Sequence, residues 1–187
     1  MGTIKTTNIE TITGSGTLTL GQSGETITIP SGATLNLSNA TQTGVGGTNT
    51  PAFLVTRSVQ SIPNNTWTKL QYDTKAVDTD SAFDNTTNYR FTVPSGKGGL
   101  YFFRGNFGVE GLDAGERVQM RIYVNGSGQD YSFVRVWSSD TDRGWYIESS
   151  GFFNLSAGDY VEMYGLQTEG ASQNANLLQF GGYKIIT

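Results

Sequence analysis

Residues 89–107 read YRFTVPSGKGGLYFFRGNF. Tyr89–Val93 alternates, with Phe91 and Val93 on one face and Arg90 and Thr92 on the other, and it stops at Pro94-Ser-Gly96. Gly99–Phe107 then resumes as an aromatic-rich run. Two short period-two segments joined by Pro and Gly describe strands around a turn, because successive side chains of a strand point to opposite faces. The joint itself, Ser95-Gly-Lys-Gly-Gly99, has the look of a phosphate loop. Phe91, however, stands where that loop needs its first Gly, and Gly98 where it needs Ser or Thr. It reads as a hairpin turn.

The same grammar extends in both directions. Strands are expected at Phe53–Ser58, Thr66–Tyr72, Arg117–Val124, Tyr131–Trp137, Gly144–Ser149, Tyr160–Leu166 and Leu177–Ile186. Turn signals separate them at Ile62-Pro-Asn-Asn65, Asn125-Gly-Ser-Gly128, Asp140-Thr-Asp142 and Ala157-Gly-Asp159. No segment has a helical period. Many short, evenly spaced strands indicate a sandwich or jelly roll. Composition agrees: of 187 residues 36% are hydrophobic and only 15% charged, with 25 glycines, so Thr, Ser and Asn supply the polarity.

The first part of the chain differs. Every aromatic residue lies after position 52. Before it, one phrase recurs as Thr17-Leu-Thr-Leu20, Thr26-Ile-Thr-Ile29 and Thr34-Leu-Asn-Leu37. A four-residue strand cannot offset its own ordering entropy of about 1–2 kcal/mol per residue. Leu18, Leu20, Ile27, Ile29, Leu35 and Leu37 therefore call for stacking on neighbouring rungs or on copies in other chains. The reading is a fibrous, intertwined trimeric β-shaft at 1–44, a Gly/Pro hinge at 45–51 and a head at 52–187. A structureless Thr/Ser/Gly leader is the alternative, but it does not account for the alternation.

The head strands resemble a C1q-like domain, the small jelly roll shared with the tumour necrosis factor superfamily. The resemblance rests on Pro51-Ala-Phe53, Phe83-Asp-Asn-Thr-Thr-Asn-Tyr-Arg-Phe-Thr-Val-Pro94, Gly99-Leu-Tyr-Phe-Phe103, Leu155-Ser-Ala-Gly-Asp-Tyr-Val161 and Phe180-Gly-Gly-Tyr183, in that order. Gly181 replaces the usual Ser of the last motif. It implies a ten-stranded jelly roll that trimerises about a three-fold axis, with Phe53, Tyr101, Phe103, Phe107, Phe180 and Tyr183 as candidates for core and trimer contact. The stretch SGETITIPSGATLNLSNATQTG is similar to the stalk segments of bacteriophage tail fibres and related virion fibres.

Absences restrict the chemistry. There is no His and no Cys, which removes the commonest general base, thiolate metal sites and nucleophilic triads. A net charge of −4 without a basic run argues against nucleic acid. No apolar stretch reaches the roughly 20 residues of a membrane span, and the N-terminus has no signal-peptide h-region. The carboxylates fall mostly in turns, where Asp caps its own backbone, rather than as the facing pair a glycosidase needs. Asp78-Thr-Asp80 and Asp140-Thr-Asp142 place oxygen ligands two apart, a thin calcium signal without the EF-hand continuation; no other cofactor is expected.

The strongest binding candidate is Trp137-Ser-Ser-Asp-Thr-Asp-Arg-Gly-Trp-Tyr146. Flat rings of Trp137, Trp145 and Tyr146 can stack on sugars while Asp140, Asp142 and Arg143 bind hydroxyls. Equally, the two Trp can point inward and pin the sandwich; alternation leaves both open. The expectation is a non-enzymatic homotrimeric fibre or spike protein located on a virion. Its head would bind a host-surface glycan or protein, and its N-terminal region would meet other virion proteins. The alternatives are a purely structural decoration or adaptor, and a polysaccharide depolymerase.

Overall fold

The computed structural model describes residues 26–35 and 49–185. The chain divides into two units, Met1–Val45 and Gly46–Thr187. In the first unit, residues 26–35 carry no strand. They turn at Ser31-Gly32, with Gly32 at φ +82° and the Ala33 N–H donating to the Pro30 carbonyl at 3.0 Å. Ile27, Ile29 and Leu35 are exposed. The shaft strand expected at Thr26–Ile29 is thus not formed in a single chain, because no neighbouring strand pairs with it among the described residues. Leu18, Leu20 and Leu37 lie outside the described residues.

The second unit is all-β. Its strands are β1 (Ala52–Ile62), β2 (Thr68–Lys69), β3 (Thr74–Asp78), β4 (Phe83–Asp84), β5 (Arg90–Thr92), β6 (Gly99–Leu112), β7 (Arg117–Val124), β8 (Ser127–Gly128), β9 (Val134–Trp137), β10 (Arg143–Leu155), β11 (Tyr160–Gln167) and β12 (Gln173–Lys184). One sheet has the order β10-β6-β12-β1-β3. The other runs β4-β5-β11-β7-β8, with β2 also on β11 and β9 also on β7. The first and last strands pair along their length, from Ala52 opposite Tyr183 to Ile62 opposite Gln173. This is the jelly-roll plan.

Several strands exceed their expected bounds. β1 continues to Ile62, where a turn was expected, because Val59–Ile62 still pairs with β12. β6 runs to Leu112 and β10 to Leu155, each sustained by the other over a long register. The expected Thr66–Tyr72 strand shrinks to two residues on β11, and Tyr131 sits in a 3-10 turn, not a strand. Asn125-Gly126 makes the expected hairpin, both residues at positive φ (51° and 77°), as a two-residue type I′ turn requires.

The two sheets close on one core. Phe53 stacks on Phe91 at 4.8 Å and meets Phe180 edge-on at 5.0 Å, with Phe83, Phe103, Tyr72 and Tyr101 around them. Offset and edge-to-face ring pairs at these separations add to the area they bury. Phe53, Tyr101, Phe103, Phe107 and Phe180 are all buried here. They therefore hold the subunit together and cannot also be subunit contacts. Only Tyr183 of that expected set is exposed, since it points away from the core on β12.

Candidate functional site

Alternation gives each sheet an inner face in the core and an outer face. On the five-stranded sheet, Phe152, Phe102 and Tyr183 are register partners on β10, β6 and β12. Phe102 lies 5.1 Å from Phe152 and 5.8 Å from Tyr183, ring centre to ring centre. One layer further, Arg104 reaches Glu148 across β6 and β10, and Leu54 stands beside Gly181. Phe152 is 61% exposed and Leu54 39%. Leu54, Phe102, Arg104, Gln179 and Tyr183 line a shallow groove of about 300 Å³. An aromatic ladder three strands wide, open to solvent, departs from the polar outer face usual for a half-solvated sheet.

The expected 137–146 site does not form one surface. Trp137 ends β9 and is 51% exposed on the outer face of the seven-stranded sheet. Trp145 is partly buried and packs on the core, and its indole N–H has no partner among the described residues. Tyr146 emerges on the opposite sheet, where its ring sits against Gly108 of β6 and its hydroxyl donates to Glu110 Oε1 at 2.9 Å. The carboxylate holding that proton raises the Tyr146 pKa. The fit needs Gly108, because a Cβ there would sit 2.3 Å from the Tyr146 ring. Asp140 and Arg143 pair with each other at 3.4 Å in the connecting loop, and Asp142 occupies the turn at φ +57°. The 138–142 loop carries the chain from β9 on one sheet to β10 on the other, and alternation along β10 sends Trp145 and Tyr146 to opposite faces, so the six candidates separate.

The calcium candidates are engaged otherwise. Asp78 accepts from the backbone N–H groups of Ala82 and Phe83 and from Lys75 at 2.8 Å, so its carboxylate folds the β3–β4 turn. Asp80 accepts from the Thr79 hydroxyl and faces Lys97 at 3.7 Å. Among the described residues no three acidic side chains converge on a point that would hold a metal.

Two groups of residues escaped the sequence reading. Leu54, Phe102 and Phe152 were hidden because inner and outer aromatics both occur on β6 and β10, as in Tyr101-Phe-Phe103. The second group lies on the outer face of the seven-stranded sheet: Trp67, Arg121, Phe133, Arg135 and Arg117, in a row of contacts that includes Trp137. Arg117-x-Gln-x-Arg121 and Phe133-x-Arg135-x-Trp137 both have period two, and that was the available signal. Lys69 and Glu162 add an ion pair on this face, with Glu162 only 3% exposed.

No family model and no curated protein matches the chain. Among solved structures it is similar to the globular domain of zebrafish complement 1qA protein, at 19% identity and TM-score 0.54, over 72% of this chain and 97% of that one. It is also similar to the structure of Eiger TNF from S. frugiperda, at 12% identity and TM-score 0.50, over 72% and 91% respectively. At these identities the likeness establishes the fold: a C1q/TNF-like jelly roll.

Proposed function

We propose that the chain is a homotrimeric fibre or spike protein of a virion, non-enzymatic, whose jelly-roll head engages a host-surface receptor. The observation that carries it is the outer face of the five-stranded sheet. Leu54, Phe102, Phe152 and Tyr183 form a continuous apolar patch there, on a chain whose core is already complete. Burying such a patch against copies of itself gains about 25 cal/mol per Å² of apolar surface removed from water, and identical chains about a symmetry axis offer the matching surface. The repeat at 17–37 asks for the same thing, since strands of four residues with paired Leu and Ile call for neighbouring strands, which copies of the chain would supply. The similarity of that repeat to phage fibre stalks supports the virion setting. Three heads on one stalk turn weak single contacts into strong attachment.

Mass measurement in solution tests the assembly. The full chain is expected at three times its monomer mass. Phe152→Glu with Tyr183→Glu, which buries charge at the proposed interface, should leave a folded monomer. A wild-type chain that stays monomeric at micromolar concentration overturns the reading.

A further inference from the structure

The outer face of the seven-stranded sheet carries a second construction. β7 and β9 place Arg117 opposite Trp137, and Gln119 opposite Arg135. Arg121 lies over Trp67 at 5.1 Å and over Phe133 at 5.0 Å. Arg135 lies over Phe133 at 5.0 Å and over Trp137 at 5.9 Å, and Arg117 over Trp137 at 5.1 Å. Three guanidinium groups thus alternate with three aromatic rings in one stack, each contact within cation–π range.

The charges in this stack are not balanced. Arg121 has Asp130 at 3.2 Å. Among the described residues neither Arg117 nor Arg135 is in an ion pair. Instead the amide of Gln119, only 4% exposed, takes the orientation in which its oxygen accepts from the Nε of Arg117 at 2.8 Å and of Arg135 at 2.7 Å. Two cations converge on one neutral acceptor. Gln119 holds both guanidiniums by the inner edge, while the terminal nitrogens of Arg117 have only a long 3.4 Å contact to Asn65 and those of Arg135 have no protein acceptor among the described residues. A purely structural brace would be better served by a carboxylate at position 119, which would cancel the repulsion between the two cations.

We infer that this stack is a binding site for an acidic polysaccharide, with its carboxylate or sulfate groups on Arg117 and Arg135 and the flat face of an intervening sugar on Trp137. Such a polymer alternates an anionic group with an apolar ring face, and the stack alternates a guanidinium with an aromatic face. A guanidinium fixed by its Nε presents a planar edge for paired hydrogen bonds to an oxyanion. A nucleic acid fits less well: tight phosphate binding recruits many cations in a row, whereas Asp130 and Glu162 interrupt this face and the chain carries −4 overall. The site deepens the receptor-binding reading of the head and rests on it for the choice of a glycan target, but it does not depend on trimer assembly.

The test is binding of the full chain to surface-immobilised polygalacturonate and dextran sulfate, with neutral dextran and a single-stranded DNA oligonucleotide alongside. Retention is expected on at least one of the anionic glycans and not on neutral dextran, weakening as salt rises. Arg117→Gln with Arg135→Gln should lower affinity tenfold or more at an unchanged unfolding midpoint, while Arg57→Gln on the other sheet leaves it intact. Arg135→Lys, which keeps the cation and the stack but not the planar edge, should fall between and serves if the double variant is unstable. Absence of binding to both anionic glycans, equal binding to neutral dextran, or undiminished binding by the double variant Arg117→Gln with Arg135→Gln would each overturn the site. Tighter binding of the oligonucleotide through the same arginines would replace the glycan with nucleic acid. A monomer that still binds leaves the site standing and removes the assembly; a trimer that binds neither anionic glycan does the reverse.

Discussion

Tyr72 shows how a single atom in the core can work against the fold around it. Its ring packs between Phe83 and Phe180, at 6.4 Å and 5.6 Å, and the residue is fully buried. Its hydroxyl has no hydrogen-bond partner among the described residues, and burial raises its pKa well above the usual tyrosine value. An unsatisfied buried hydroxyl costs about 1–3 kcal/mol of desolvation. Tyr72→Phe keeps the ring and removes the orphan. It should raise unfolding stability by roughly 1 kcal/mol in urea denaturation; a loss of that size would mean that the hydroxyl is satisfied in solution. Tyr101, also buried, makes the opposite case, since its hydroxyl donates to the Lys97 carbonyl at 2.6 Å and is stably placed.

The connections between strands depend on short polar side chains that close their own loops. Asp84, at the end of β4, accepts from the backbone N–H groups of Thr86, Thr87 and Asn88 and from the Asn88 side chain at 2.7 Å. These donors, the Thr87 and Thr86 amides first, hold its carboxyl far below the usual carboxylate range. Asn125 and Asp159 tie two turns together in the same way, by a 2.8 Å side-chain bond and a bond from the Tyr160 N–H to Asn125 Oδ1. A carboxyl whose folded pKa is depressed contributes stability that is complete above its unfolded value, about 3.9 for Asp, and lost as pH falls through the folded value. Asp84→Ala should therefore cost about 1 kcal/mol at pH 7, the scale of a lost side-chain cap. The difference from wild type should shrink as pH drops below about 4. A gap between the two chemical midpoints that stays constant from pH 7 to pH 3 would argue against the loop role.

At the scale of the molecule, nearly all pairing is non-local: Ala52 meets Tyr183 and Gly99 meets Leu155. Loops of that length must close before the ladder hydrogen bonds and the phenylalanine cluster form, so folding should be slow for a domain of this size. Every residue of the core cluster lies between Phe53 and Phe180. Residues 49–187 produced alone should consequently unfold in a single cooperative transition, with the same midpoint as the full chain at matched oligomeric state. A broad or lowered transition would show that the head takes part of its stability from residues 1–48. The two outer faces then divide the labour proposed above: the aromatic ladder toward other copies, the arginine stack toward the target.

Much was legible from local pattern. The alternation of Tyr89–Val93 and Arg117–Val124, the Asn125-Gly126 hairpin and the Gly158-Asp159 turn each express a backbone preference that needs no distant partner. The five motifs from Pro51-Ala-Phe53 to Phe180-Gly-Gly-Tyr183 resembled, in their order, a C1q-like jelly roll, and the fold agrees. What stayed hidden depended on which face a side chain occupies and what lies opposite. Period two says that Phe102 and Phe103 point opposite ways, but only the packing of the second sheet, with Phe91 of β5, against one face of β6 decides that Phe103 is core and Phe102 is surface. The same packing assigned five of the six core or trimer-contact candidates to the core and scattered Trp137, Trp145 and Tyr146 to three environments. The arginine stack joins residues 67, 117, 121, 133, 135 and 137, and no local rule brings Trp67 to Arg121. Strand propensity and turn chemistry are properties of neighbours along the chain; surfaces are properties of strands laid side by side, and those require the tertiary structure.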